Sequence, residues 1–238
     1  MKSDVLAEYR DRGIERLNEY EARRLLREYD IPCPDEVLLA YDEGKPGADY
    51  LDEFQAAGDP PGFPVYLKVA ARDVTSVSDV GGVERVGSVT EFAPAVDRLL
   101  DRVTAGQPNG GIQGIIAAED VSDRARELLL GSTVDPQFGA VVSLGIGGIY
   151  VEVYRDVEFR VPPIEPADVR SMLRNLRGRE LLAEFRGMPA VDEDAVVDAV
   201  LSFARLIEEN PEIVEADINP LMARPDGVVA ADALVRID

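Results

Sequence analysis

An α+β fold in two lobes is what this sequence predicts, on three observations. Strand-like and helix-like stretches mix without strict strand–helix–strand alternation, which favours α+β lobes over a doubly wound parallel sheet. GQPNGG at 106–111 is a run of Gly, Pro, Asn and Gln between two periodic segments, the signature of a linker. At 238 residues and 46% hydrophobic content, the chain is long enough for one large domain or two lobes with substantial cores. The expected lobes are 1–110 and 111–238, with the first helix a candidate to pack on the other lobe.

RLNEYEARRLLREY (16–29) places Leu17, Tyr20, Ala22, Leu25 and Leu26 near one helical face, with Asn18 or the preceding segment as the entry. IPCPDEVLLA then reads as a short strand, and DEGKPGADYLDEFQAAGDPPG as a loop and helix closed by a Pro/Gly break. FPVYLKVAA (63–71) alternates and is rich in Val, Tyr and Leu, which marks a strand. RDVTSVSDVGGVERVG follows as a loop and second strand, and SVTEFAPAVDRLLDRVTA (88–105) returns to helical spacing, with Ser88 or Thr90 as cap. Beyond the linker, GIIAAEDV, ARELLLGSTV and GAVVSLGI are strands, with DPQFG (135–139) turning between the last two. Extended chain through VEFRVPPI leads to helices at 166–177 and 192–209 and to a closing β segment, IVEADINPLMARPDGVVAADALVRI.

Composition removes whole classes of chemistry. There is no histidine, hence no Ser-His-Asp triad, histidine metal site or phosphohistidine on this chain. Cys33 is alone, so no intrachain disulfide or cysteine metal cluster forms; in IPCP it reads as a small buried hydrophobe. The net charge of −21 disfavours nucleic acid as a partner. Only Lys2, Lys45 and Lys68 are lysines among 25 basic residues, and dense carboxylates with arginine for lysine read as the surface of a protein from a high-salt cytoplasm. No apolar run approaches a membrane span and the N-terminus has no apolar leader, so a cytoplasmic protein without a membrane partner is expected.

Two places can carry chemistry on spacing alone. Lys68 lies mid-strand on the face shared by Tyr66 and Ala70, with Val65, Leu67 and Val69 on the other. It is either a solvent-facing lysine or a point charge for nucleotide phosphate. In the C-terminal segment, Arg224-Pro225-Asp226-Gly227 is a type I turn signal. Pairing 224 with 227 sets Asn219 opposite Asp232, with Glu215 and Asp217 on the same face as Asn219. An amide oxygen beside carboxylates suits Mg²⁺, and a solvated polar face is the alternative; a bulge at Gly227 would slip this register by one. The glycines at 81–82 and at 145, 147 and 148 allow close approach of phosphate to backbone N–H groups, or simply tight turns. Neither matches a Walker or Rossmann pattern.

Together these segments resemble the β subunit, or the corresponding ATP-grasp domain, of ADP-forming acetyl-CoA synthetases and related acyl-CoA ligases. The resemblance runs from LNEYEARRLLREYDIPCP through FPVYLKVA and SDVGGV to RELLLGSTVDPQFG, LGIGGIYVEVYRDVEFRVPPI and DINPLMARPDGVVAADA. It is similar, more distantly, to the β subunit of succinyl-CoA synthetase. The resemblance implies an ATP-grasp fold with ATP or ADP clamped between two α+β lobes and Mg²⁺ bridging its phosphates. It implies Lys68 as the phosphate-contacting lysine, Glu119 beside adenine, and Asn219 and Asp232 as Mg²⁺ ligands. Glu127, Glu152 and the glycines Gly145, Gly147 and Gly148 fall in the family's phosphoryl-transfer region. The implied partner is an α subunit that carries the CoA-binding domain and a phosphohistidine.

The chain departs from the family pattern in two places. Where the family often has a second phosphate-carrying histidine in an LHKSD-like motif, this chain reads TSVSD, with Ser76 for the histidine and Val77 for the lysine. The LLxGxRG-like segment reads LLAEFRG, with Glu184 in place of the usual glycine before Arg186-Gly187.

Overall fold

The computed structural model describes residues 4–72, 81–106, 111–148 and 156–238. They form two compact units, one of residues 34–120 and one joining 1–33 to 121–238. Among the described residues no helix is long and apolar enough to cross a membrane.

In the 34–120 unit, β2 (Glu36–Ala40), β5 (Ile112–Glu119), β3 (Val65–Ala71) and β4 (Val83–Val86) form an antiparallel sheet in that order. The expected alternation holds: Val65, Leu67 and Val69 are buried, while Tyr66 and Lys68 are half-buried. The buried row packs under α3 (Gly47–Ala56) and α4 (Val89–Gly106), with Phe54 stacked on Phe92 at 4.9 Å between ring centroids. Fully burying such side chains contributes about 1.5–3 kcal/mol each.

The linker at 106–111 does not divide the units, which corrects the expected boundary. β5 begins at Ile112, immediately after it, and pairs with both β2 and β3, so the strand belongs in the middle of the first sheet. The break falls at 120–121 instead. Backbone pairing on both sides of β5 outweighs the composition signal before it. The first 33 residues do belong with the C-terminal unit, as foreseen for the first helix.

That unit has a seven-stranded antiparallel sheet ordered β1 (Arg16–Leu17), β11 (Leu234–Ile237), β9 (Ile213–Arg224), β6 (Arg126–Asp135), β7 (Gly139–Ile146) and β8 (Val157–Arg160). β10 (Gly227–Ala230) also pairs with β9. The side chains of α1 (Asp4–Asp11), α2 (Glu19–Glu28), α5 (Pro166–Asn175) and α6 (Glu193–Glu209) join the inward rows of the sheet in one core. Helix α2 begins at the Asn18 anticipated from sequence. The Asn18 side chain accepts from the Glu21 amide at 3.0 Å and Glu21 accepts from the Asn18 amide at 2.9 Å, a complete capping box. Arg16 and Leu17, read as the helix start, instead pair with Arg236 and Val235 as β1.

Candidate functional site

The hairpin register holds as predicted and then does something alternation cannot foresee. Arg224 pairs with Gly227 and Leu221 with Ala230, so no bulge occurs at Gly227. Further along β9, Asp217 pairs with Leu234 and Ala216 with Val235, in the same register. Between these two stretches the ladder is interrupted at 231–233, opposite residues 218–220. On the other side of β9 the pairing with β6 shifts there: Leu128 faces Leu221, but Leu130 faces Ile218. Asn219 and Pro220 together therefore oppose Leu129 alone, which is a β-bulge. Ile218 and Leu221 are both buried, as are Ala230 and Ala233. Asn219 and Asp232 are outward by alternation from Ile218 and Ala233, and the bulge, by switching the inward parity, leaves Pro220 and Ala231 out of the core with them.

Around this point three carboxyl groups act on one another. Burial, with the Asp232 carboxylate and then Glu215 nearby, pushes the Asp217 carboxyl up to about 6. Gly131 of β6, paired with both Asp217 and Ser143, makes the room: a Cβ there would lie 3.0 Å from Ser143 Oγ and 3.3 Å from Asp217 Oδ1. Among the described residues no group of three or more Asp, Glu, Cys or His side chains converges as a ready-made metal cage. An amide oxygen and one or two carboxylates still fit Mg²⁺, which keeps its other positions for water and phosphate oxygens. Gly131 was overlooked in the sequence, although a lone glycine inside the strand LLLGSTV signals close approach of a neighbour.

A second cluster lies at the end of β7. The Gly147 amide donates to the Glu127 carbonyl at 2.7 Å, and a Cβ on Gly147 would meet Glu127 backbone atoms at 2.8–2.9 Å. Gly148 has φ +74°, and its missing Cβ would lie 3.0 Å from Glu127 Oε2. These two glycines and Glu127 are thus brought together, lining a cavity of about 340 Å³ with Arg126, Leu181 and Leu182. Gly145 sits apart, where β8 approaches so closely that a Cβ would meet the Asp156 carbonyl at 2.8 Å. Glu152, Ser76 and Val77 lie outside the described residues. Arg126 Nε donates to the Leu181 carbonyl at 2.7 Å, and its two terminal nitrogens are buried without a hydrogen-bond partner among the described residues. Nothing in the strand pattern pointed to it.

In the other unit, Lys68 pairs with Ile116 and Val83, on the sheet face away from the helices. Glu119 ends β5 opposite Val65, hence on the other side of the sheet from Lys68, and its amide donates to the Asp35 carbonyl at 2.8 Å. The two share a sheet but not a face. Gly81, with φ +70°, has its carbonyl held by Arg102 Nε at 3.0 Å, and Arg98 and Arg102 both bond Glu84, so this glycine pair serves a pinned turn. The Arg186-Gly187 pair forms the tip of another: Phe185 and Met188 exchange two backbone bonds of 3.0 Å, with both tip residues at positive φ.

Two antiparallel sheets, each with helices packed against it, and the bulged acidic strand are the makings of an ATP-grasp domain, and the ATP-grasp domain family matches residues 8–237. Among its relatives, the β subunit of ADP-forming acetate–CoA ligase I of Pyrococcus furiosus is 34% identical, over 91% of this chain and 90% of that one. The chain belongs to this family of ADP-forming acetate–CoA ligase β subunits and domains. It is also 35% identical to the ADP-forming acetate–CoA ligase I of Archaeoglobus fulgidus, but spans only 26% of that longer protein. The dinucleotide-forming acetyl-coenzyme A synthetase 1 of Ca. Korarchaeum cryptofilum, in complex with coenzyme A, Ca-AMPCP and HgCl⁺, matches with a TM-score of 0.90 and 36% identity. That match covers 99% of both chains. Another structure of that protein, described with coenzyme A and Mg-AMPPCP and its phosphohistidine segment pointing towards the nucleotide binding site, matches at a TM-score of 0.81 and 33% identity, over 99% of each chain.

Proposed function

We propose that this chain is the nucleotide-binding β subunit of an ADP-forming acyl-CoA ligase, acting on acetyl-CoA or a related thioester. It transfers a phosphoryl group between the phosphohistidine of a partner α subunit and ADP. The histidine N–P bond breaks as an O–P bond forms to the terminal oxygen of ADP, giving ATP and free histidine. The observation that carries this reading is the hairpin register, which sets Asn219 opposite Asp232 on the outward side of β9, near Asp217.

In this reading Asn219 and Asp232 would hold Mg²⁺, and the Asp217 carboxylate, close enough to feel Asp232, would add negative charge to the site. Bound Mg²⁺ supplies neutralisation of phosphate-oxygen charge. Lys68 places an ammonium on phosphate, and Glu119 marks the adenine end of β5. The Gly147 and Gly148 backbone lines the phosphoryl path with Glu127, and the resemblance assigns Gly145 and Glu152 to the same region. Fixed donors aimed at the migrating phosphoryl are the physical contribution expected of such a site. The acidic, lysine-poor surface is read as adaptation to a salt-rich cytoplasm.

The test is calorimetry of Mg²⁺-dependent ATP and ADP binding in molar KCl, comparing the wild-type chain with Lys68→Ala and Asp232→Ala. Each substitution is expected to weaken binding tenfold or more, at least about 1.4 kcal/mol. No binding by the folded wild-type chain would overturn the reading. Ser76 in place of the family's histidine favours a second reading, a catalytically silent nucleotide-binding subunit that scaffolds or regulates its partner. Co-purification with the α subunit and an assay of phosphate transfer to ADP separates the two, because a complex that binds ATP without turning over supports the second.

A further inference from the structure

Where β9 and the returning chain cross the bulge, one hydrogen bond of the ladder is chemically impossible. The register that pairs Leu221 with Ala230 and Asp217 with Leu234 sets Pro220 opposite Ala231. The Ala231 amide donates to the Pro220 carbonyl at 3.0 Å, half of the reciprocal pair that antiparallel strands form at such positions. Proline has no N–H, so the return bond to the Ala231 carbonyl cannot come from β9. It comes from α2: Arg23, fully buried, donates from Nη2 to the Ala231 carbonyl at 2.8 Å.

We propose that Arg23 is a positioning residue for the metal ligands, a guanidinium standing in for the N–H that Pro220 lacks. The pair on the far side of this bond is Asn219 and Asp232. In an antiparallel ladder the pair next to a hydrogen-bonded one is the non-hydrogen-bonded kind, whose side chains approach most closely. Its register is therefore set by the bond Arg23 completes. Glu19, one turn earlier on α2, pairs with Arg23 and keeps its buried charge compensated. A second clamp lies one residue before: the Ala230 amide donates to the Pro32 carbonyl at 2.7 Å, just after α2. Helix α2 thus belongs to the site although it contributes no ligand. The inference rests on Asn219 and Asp232 being the metal pair.

Removing Arg23 alone would take from Glu19 the guanidinium that it pairs with, so the informative variant is Glu19→Gln/Arg23→Met, with Glu19→Gln as its control. Mn²⁺ binding in the presence of ADP, followed by electron paramagnetic resonance, is expected to weaken at least tenfold in the double variant. In Glu19→Gln and in Arg23→Lys, which keeps a donor, it should stay within threefold of wild type. In the metal-free double variant the Ala231 amide should exchange with deuterium at least tenfold faster while Val229 keeps its protection, a readout no metal enters. Unchanged Mn²⁺ affinity in a folded double variant overturns the inference. If Asp232→Ala also leaves Mn²⁺ binding intact, it is the metal reading that fails. Should the double variant not fold, titration of the wild-type chain decides: Mg²⁺ should shift the Arg23 guanidinium and Ala231 amide resonances with the midpoint of Asp232, and absence of those shifts overturns the inference.

Discussion

The two sheets turn opposite charges away from their cores, and they do so by different means. In the four-stranded sheet Lys68 is presented by plain alternation, with Leu67 and Val69 buried on either side of it. In the seven-stranded sheet Asp217 and Asn219 follow alternation too, and the bulge beside them switches the parity of β9 so that Pro220 is turned out with Asn219. A single strand period suffices to place a point charge. Setting an amide opposite a carboxylate takes the hairpin register as well, and the structure holds the irregular stretch beside them with bonds from α2 and the chain behind it.

The largest expected effect tests whether the two faces of β3 are as separate as this comparison requires. Leu67→Ala empties a fully buried site and should cost about 2–5 kcal/mol in denaturant unfolding. Nucleotide affinity of the folded fraction should stay close to wild type. Lys68→Ala should behave in the opposite way, and a variant that changed both properties together would break the division.

Asp217→Asn sharpens the acidic side. A carboxyl raised from 3.8 to about 6 in the folded chain destabilises it when ionised, and wild-type stability should rise as the pH falls through about 6 toward 4. In chelator at pH 8 the asparagine variant is therefore expected to be more stable than wild type by up to about 3 kcal/mol, since each tenfold change in a proton-binding equilibrium corresponds to about 1.4 kcal/mol. That gain should fade by pH 4. Thermal unfolding across this range reads the effect, and a pH-independent difference would mean that Asp217 is not the group responsible.

Gly131→Ala should have a smaller consequence confined to the same place. The added methyl meets Ser143 Oγ and Asp217 Oδ1 and displaces the latter. About a fivefold loss of Mg²⁺ affinity, roughly 1 kcal/mol, is expected in calorimetry, without loss of the fold. Smallest is Glu84→Gln. Although burial works against it, hydrogen bonds from Arg98 and then Arg102 hold the Glu84 carboxyl below its ordinary value. Its contribution is present above pH 4.5 and lost as the pH falls through the folded value. These guanidinium partners are about half exposed, so the substitution should cost less than about 1 kcal/mol in denaturant unfolding, and less still in molar salt.

How much was legible depended on whether a feature is local. The faces of β3, the Asn18 cap and the Arg224–Gly227 turn follow from strand period, side-chain capping chemistry and a four-residue turn signal, and all three stand in the structure. The unit boundary was misread at the linker because Gly/Pro composition occurs between elements of one unit as well as between units, and only the pairing of β5 with β2 and β3 tells which. Gly131 was passed over because a strand glycine acquires meaning only from the neighbours on both sides, Ser143 and Asp217.

By itself the sequence determined the fold family, the face on which Lys68 stands, and a register that sets Asn219 opposite Asp232, since each follows from short-range periodicity or from motifs in order. Tertiary structure alone decided that β6 pairs with β9 through a bulge, that β5 belongs to the first sheet, and that Arg23, 208 positions before Ala231, completes a bond proline cannot make. These depend on which strands and helices become neighbours. That choice is made by burial and by satisfying every backbone group at once, and no local stretch of residues encodes it.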